Sequence, residues 1–343
     1  NPLETSSKFV NTKCPTCKKP AKRETDTMDT FVNSSWYYLR YTDANNDKKI
    51  FDPEKANYWC PIDMYIGGKE HACMHLIYVR FYTKFLRDLG LLKFNEPAVR
   101  MFNQGMLHSN DGNKMSKSSG NAVDPLETIK KFSTDALRIF LISVASPDSD
   151  FNWDDKGVEA SHKFLNKVVT YFEKVKVGKS NARSESKANK SIKEISEDVE
   201  GMKYNLAVIK LRQMFDNFGE EESKETLESF VKMLSLFCPH LAEELWNKLG
   251  NKEFISVEEW PVSDEKKIDE KIEFEEDVLI TLSNDVEEIK KLAKIEKVKG
   301  IKLIVAPKWK YKFVKDFKEN VEKERNVGAL IKMLMVPEHG KDI

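Results

Sequence analysis

The sequence predicts an α/β segment, then an α-helical bundle, then a small C-terminal α/β module. Three observations carry this prediction. A short apolar strand at Tyr65-Ile66 runs into Gly67-Gly68 and on into a helix-periodic stretch, the pattern of a strand–turn–helix unit. Between about residues 156 and 250, apolar side chains recur at helical spacing in one segment after another. Beyond residue 260, β-branched runs at 278–282 and 301–306 alternate with helical stretches.

Residues 1–24 are polar and hold Cys14-Pro15-Thr16-Cys17. Two thiolates at C-x-x-C spacing grip one metal from a tight turn, so Cys14 and Cys17 form half of a tetrahedral zinc site that needs two more ligands from elsewhere. A redox pair is the other reading, although no strand precedes it and no helix follows at once. The first residue is Asn1 rather than methionine, and the chain reads as part of a larger protein or one piece of a split one.

Residues 25–105 contain two further clusters. Asp29 to Tyr38 mixes Phe31, Trp36, Tyr37 and Tyr38 with Asn33, Ser34 and Ser35. It reads either as a buried strand and turn or as a pocket for an apolar side chain whose polar end is fixed by hydroxyls. Downstream, Gly67 and Gly68 allow close ligand approach, and Glu70 in the first helical turn can accept from a pair of sugar hydroxyls. The spacing predicts a helix from about Glu70 to Leu89, with Ala72, Leu76, Val79, Phe85 and Leu86 periodic and Gly90 as its stop. His71 and His75 would share one face of it, as a structural pair or as ligand contacts. Neither arrangement of a helical zinc-hydrolase motif is present. A second strand is predicted at 99–102, leading into Gln104-Gly105-Met106.

Residues 106–155 carry Lys114-Met115-Ser116-Lys117-Ser118 behind Asp111-Gly112-Asn113. Two ammonium groups on one loop suit a polyphosphate, although a solvated surface loop has the same composition. The loop leads into a helix start in which Asp124 is the N-cap, Pro125 the first helical residue and Glu127 the closing member of a capping box. A helix over 135–145 follows, with Leu137, Phe140, Leu141 and Val144 on one stripe and Pro147 behind it.

Residues 156–259 form the predicted bundle, starting with Phe164, Val168, Val169 and Phe172 on one face. The lysine- and serine-rich stretch at 178–191 is expected to be a mobile connection, with helices resuming near Ile192. The last helix starts at Cys238-Pro239 and ends at Gly250. In residues 260–343, two strands and three helices are expected. There Lys308, Trp309, Lys310 and Lys312 interleave charge with an aromatic, as phosphate contact plus stacking would require or as an ordinary solvated amphipathic helix would show.

Bulk properties narrow the function classes. Lysine plus arginine equals aspartate plus glutamate at 56 each in 343 residues, so a nucleic-acid surface would have to be local. No apolar run reaches the length of a membrane span, so no membrane partner is expected. Five cysteines, an odd number, fit a reducing cytoplasm better than a disulfide framework.

Four stretches occur in one order: Asp29-Thr30-Phe31 to Ser34-Ser35-Trp36-Tyr37-Tyr38-Leu39-Arg40-Tyr41, Tyr65 to Ala72, Gln104-Gly105-Met106, and Lys114 to Ser118. Together they resemble the bacterial-type leucyl-tRNA synthetases of class I, and Cys238-Pro239-His240 to Trp246 resembles a helix of the anticodon-binding bundle in the Leu/Ile/Val group. The resemblance implies the second half of a class I Rossmann catalytic domain followed by that bundle. It implies activation of leucine by ATP with Mg2+ and transfer to tRNA(Leu). Lys114 and Lys117 would hold the pyrophosphate portion. Gly67, Gly68, Glu70, Gln104, Met115, Ser116 and Ser118 would line the adenylate side. Phe31, Ser34, Tyr37, Tyr65, His71 and His75 would line the leucine end. The resemblance covers roughly residues 1–262; the tRNA contact at Lys308, Trp309, Lys310 and Lys312 rests on the charge–aromatic pattern, and the structural Zn2+ at Cys14 and Cys17 on the C-x-x-C spacing. No glycine is directly followed by histidine, so the family's HIGH motif is missing, and His108 does not replace it. The expectation is that the chain alone does not activate leucine and that the HIGH half comes from another segment of a larger protein or from a second polypeptide. A noncatalytic tRNA-binding paralogue and a different class I synthetase are the rival readings.

Overall fold

The computed structural model describes residues 1–115, 119–295, 298–321, 323 and 325–334. The chain divides into two compact units, Asn1–Glu273 and Phe274–Ile343. The first opens with α1 (Ser7–Val10) and the antiparallel hairpin β1 (Asn11–Lys13) and β2 (Pro20–Lys22), whose tip carries the C-x-x-C turn. Three short helices follow: α2 (Thr30–Asn33), α3 (Tyr37–Tyr41) and α4 (Pro53–Trp59). Asp29 caps α2 by accepting from the Phe31 amide, and Asp52 caps α4 ahead of Pro53.

The strands β3 (Ile62–Gly68) and β4 (Ala98–Gln104) are parallel, with Gly68 opposite Gln104. They are joined through a 3-10 turn at Lys69–Ala72 and the helix α5 (Met74–Asp88). Val79 and Leu86 of α5 are buried against Tyr38, Leu39, Phe51 and Leu92. The predicted helix therefore starts four residues late. Cys73, at φ −82° and ψ −94°, breaks the helical path, so His71 and His75 lie on different elements. The other side of this unit is bare. Ile77 and Phe81 on α5 and Val99 on β4 are each more than 60% exposed, and among the described residues neither strand has a second neighbour.

Next come β5 (Leu107–His108), α6 (Pro125–Phe132), α7 (Thr134–Ser143) and β6 (Phe151–Asn152), with β5 and β6 parallel. Asp124 caps α6 through the Leu126 amide, whereas Glu127 accepts from the Lys130 ammonium at 2.7 Å instead of closing a capping box.

The bundle comprises α8 (Asp155–Lys174), α9 (Ala182–Glu200), α10 (Tyr204–Asp216), α11 (Lys224–Ser235) and α12 (Pro239–Lys248), with the short parallel pair β7 (Lys176–Val177) and β8 (Glu221–Glu222) beside them. Val168, Phe172, Ile195, Leu211, Met214, Phe230 and Trp246 share its core. It is tied to α7: Asp135 accepts from the Leu241 amide at 2.7 Å and Arg138 donates to the Phe237 carbonyl at 3.0 Å.

The mobile connection expected at 178–191 is not what forms. Residues 182–191 belong to α9. Over residues 182–191 its buried positions are Ser184, Ser186, Ala188 and Asn189, so this part of the helix shows no apolar stripe. Ser184 donates to the buried Glu222 at 2.6 Å, and Ser186 accepts from the Asp269 amide at 2.9 Å.

The second unit is helical over its described residues. α13 (Glu270–Leu292) runs into it, and α14 (Lys308–Val321) and α15 (Val327–Leu334) follow. The strand expected at 278–282 is absorbed into α13, where flanking glutamates and lysines extend the helix over the β-branched run. The stretch at 301–306 carries no strand. No helix among the described residues is long and apolar enough to cross a membrane.

Candidate active site

The parallel register places Gly67, Gly68 and Gln104 together at the carboxyl ends of β3 and β4, where open α/β sheets bind ligands. Gly68 leaves room for a neighbouring side chain. A Cβ there would lie 2.4 Å from the Glu70 carboxylate, which the 3-10 turn folds back across it. Gly67 faces open space, and Gln104 is exposed at the strand end.

On one side of this turn, four of the six residues predicted for the leucine end form a connected string. The Tyr37 and Tyr65 hydroxyls share a hydrogen bond of 2.8 Å, and the Tyr65 hydroxyl lies 2.7 Å from His75 Nε2. The Tyr65 and His75 rings stack at 6.1 Å, and Phe31 approaches His75 at 6.4 Å. His71 joins at the edge, its ring T-shaped to His75 at 6.2 Å, although it is exposed. Ser34 is engaged locally, donating to the Thr30 carbonyl at 3.3 Å. Burial, followed by the Tyr37 hydrogen bond, pushes the Tyr65 phenol far above its usual range. Burial, with the neighbouring His71, pushes the His75 imidazole down and favours its neutral form. Beneath them the Tyr38 phenol, raised to about 12 by burial, is satisfied by Thr83 at 2.7 Å. Tyr78, not anticipated from sequence, stacks on Phe31 at 5.9 Å. Its spacing of three from His75 on the same helix was the available signal.

The lysine loop follows β5. Asp111 organises its approach by accepting from the Ser109 hydroxyl and, at 2.8 Å, from the Asn113 amide group. These bonds, Ser109 first, hold its carboxyl at about 2. His108 and Lys114 form an antiparallel bridge, and Lys114 is exposed. Met115 packs, partly buried, against an apolar cluster of Leu137, Phe140, Trp153 and Val158 and so anchors the loop. Ser116, Lys117 and Ser118 lie outside the described residues.

Two predicted sites remain. Cys14 and Cys17 flank a tight turn in which the Cys14 amide donates to the Lys19 carbonyl and the Lys18 amide to the Cys14 carbonyl. Backbone amides of Cys17 and Thr16 lower the Cys14 thiol, as suits a metal ligand. Among the described residues no third His, Cys, Asp or Glu joins them, so the donor set is half of a tetrahedral site. In the second unit, Lys308 and Lys312 are exposed one helical turn apart on α14, while Trp309 lies next to Lys310, whose ammonium is 5.6 Å from its ring.

Residues 4–154 match the family described as tRNA synthetases class I (I, L, M and V), and residues 183–305 match the anticodon-binding domain of tRNA ligase. Parallel strands ending in the Gly-Gly turn, the lysine loop and the following bundle thus belong to a class I tRNA synthetase. Curated leucine–tRNA ligases are similar to this chain. That of Thermosipho melanesiensis is 45% identical over 79% of this chain and 36% of its own length, and that of Thermotoga maritima 42% identical over 78% and 36%. The LeuRS of Agrobacterium radiobacter K84, solved as a ternary complex with tRNA and LeuAMS, superposes with a TM-score of 0.69 at 32% identity, over 78% of this chain and 37% of that one. The chain belongs to the leucine–tRNA ligase family. It spans little more than a third of the length of the relatives it matches.

Proposed function

We propose that this chain supplies one wall of a leucine-activating site, together with a bundle that docks tRNA(Leu). The observation that carries this reading is the Phe31–Tyr37–Tyr65–His75 string beside the Gly67–Glu70 turn. An apolar aromatic end with fixed hydroxyls adjoins a turn shaped for a nucleotide. In the proposed reaction the leucine carboxylate attacks the α-phosphorus of ATP in line, the bond to the bridging oxygen breaks, and pyrophosphate leaves. Glu70 accepts from the ribose hydroxyls, and Gln104 lies along the adenylate. Lys114 and Lys117 neutralise charge gathering on the leaving pyrophosphate, which binds as its Mg2+ complex. The string also excludes water from the leucine side. Its apolar character separates leucine from valine or isoleucine only modestly.

The wall opposite the lysine loop, a HIGH-type segment, is not in these residues, so a second segment or polypeptide completes the site. A structural Zn2+ at Cys14 and Cys17 needs two ligands from the same source. The bundle and the lysines and Trp309 of α14 face tRNA in this reading, and the chain works in the cytoplasm.

Leucine-dependent pyrophosphate exchange tests the proposal. Residues 1–343 alone are expected to show none, and the completed enzyme to show robust exchange. Lys114→Ala in the completed enzyme should slow activation by about 10²-fold while leaving tRNA affinity near its original value. Robust exchange by the isolated chain, or collapse of tRNA binding in the variant, overturns it.

A further inference from the structure

We propose that Asp150 is a positioning residue that straps the Gly67–Ala72 turn to the strand feeding the lysine loop, with Lys69 as its charged counterpart. The inference rests on reading turn and loop as two sides of one ATP site.

The seam is unusually close. A Cβ on Gly105 would lie 2.0 Å from the Ser149 carbonyl oxygen, so the junction between β4 and β5 lies directly on the backbone of the segment before β6. The Gly105 amide donates to the Pro147 carbonyl at 2.8 Å, the Phe151 amide to Met106 at 3.0 Å, and the Trp153 amide to His108 at 2.8 Å. Asp150 puts its carboxylate into this seam. Oδ1 accepts from the Met106 amide at 2.8 Å and lies 3.4 Å from Lys69 Nζ, and Oδ2 lies 4.0 Å from His108 Nε2. The Met106 amide, and after it Lys69, hold the Asp150 carboxyl below the usual range. Asp148 also feels Lys69, although the Ser146 hydroxyl is its main partner.

Each partner leads to one side of the site. Lys69 is the neighbour of Glu70, whose carboxylate folds over Gly68. Met106 opens onto β5, and His108 at the end of β5 bridges to Lys114. One carboxylate therefore connects the ribose-binding turn to the base of the lysine loop across a sequence separation of 81 residues. Asparagine at 150 would still accept from the Met106 amide, but it would offer Lys69 no charge. The strap can therefore be separated from the seam that supports it. Both ends are about half exposed, so the attraction is screened by salt.

The test uses the completed enzyme, with ATP and leucine varied separately in pyrophosphate exchange and ATP affinity measured by direct titration. Asp150→Asn is expected to raise KM for ATP and weaken direct ATP binding by about threefold to tenfold, with KM for leucine unchanged. The effect should shrink as salt is raised. Lys69→Met should reproduce it, Lys69→Arg should restore it, and Lys69→Met with Asp150→Asn should be no worse than either alone. A wild-type ATP response in Asp150→Asn, multiplicative single effects, or an equal shift in KM for leucine overturns the strap and leaves the leucine-activation reading standing. Wild-type exchange driven by another amino acid overturns the leucine reading while the ATP comparison still judges the strap. Enzyme that neither exchanges nor binds ATP overturns both.

Discussion

The Tyr65 hydroxyl stands between two partners, Tyr37 and His75, and holds the imidazole in place. Burial and His71 push the His75 imidazole below its ordinary value of 6.5. The unfolded chain then binds the proton more readily than the native one, so this contribution to stability is complete above the ordinary value and declines as pH falls below it. Thermal melts between about pH 7 and pH 5 should show this decline, and His75→Gln should flatten its slope. An unchanged slope in the variant would place the titration elsewhere. The sequence drew attention to Phe31 and Tyr37 through a run of aromatic and small polar residues and to His75 through its spacing of four from His71, while Tyr65 entered through the family resemblance. It could not show Tyr65 as the link, since the bonds join residues 28 and 10 positions apart. Asp150 was silent for the same reason: a lone aspartate in a turn carries no local signal, and its meaning comes from Lys69 and Met106.

At the scale of elements, α9 shows where periodicity fails. A helix is legible when its buried face is apolar, as in α8 with Val168 and Phe172. The buried face of α9 includes Ser184, Ser186 and Asn189, so the stretch read as a connection. Its partner is Glu222 in β8, fully buried, which accepts from Ser180, Ser184 and the Gly219 amide at 2.7, 2.6 and 2.9 Å. Glu222→Ala would strand three donors away from water and should cost about 2–4 kcal/mol in urea unfolding. A loss below about 0.5 kcal/mol would mean that water or repacking replaces the carboxylate. The opposite error occurred in α13, where a β-branched run looked like a strand. There the flanking helix formers prevailed, because five residues cannot hold a strand without a partner. The turn after β3 was legible in type but not in geometry. Gly-Gly marked the bend, whereas the 3-10 turn at Lys69–Ala72, the break at Cys73 and the approach of Glu70 to Gly68 carry no local sequence signal.

At the scale of the molecule, the order of a βαβ segment and a bundle was readable because both rest on long apolar patterns. The join of α7 to the bundle was only partly legible, since Ala136 and Ile139 enter the bundle core while Asp135 and Arg138 fix it through single polar groups. The exposed side of the βαβ segment has a consequence for how the protein must be made. Parallel strands are found almost only where helices cover both faces, and an open edge is a template for another chain. With Ile77, Phe81 and Val99 bare beside such edges, newly made chain is in a race. It must meet its cover before it meets another copy of itself. Light scattering of the isolated chain should therefore show association growing from roughly micromolar concentration, weakened by Phe81→Glu. Co-synthesis with whatever covers this face should raise the soluble yield more than slower expression or lower temperature does.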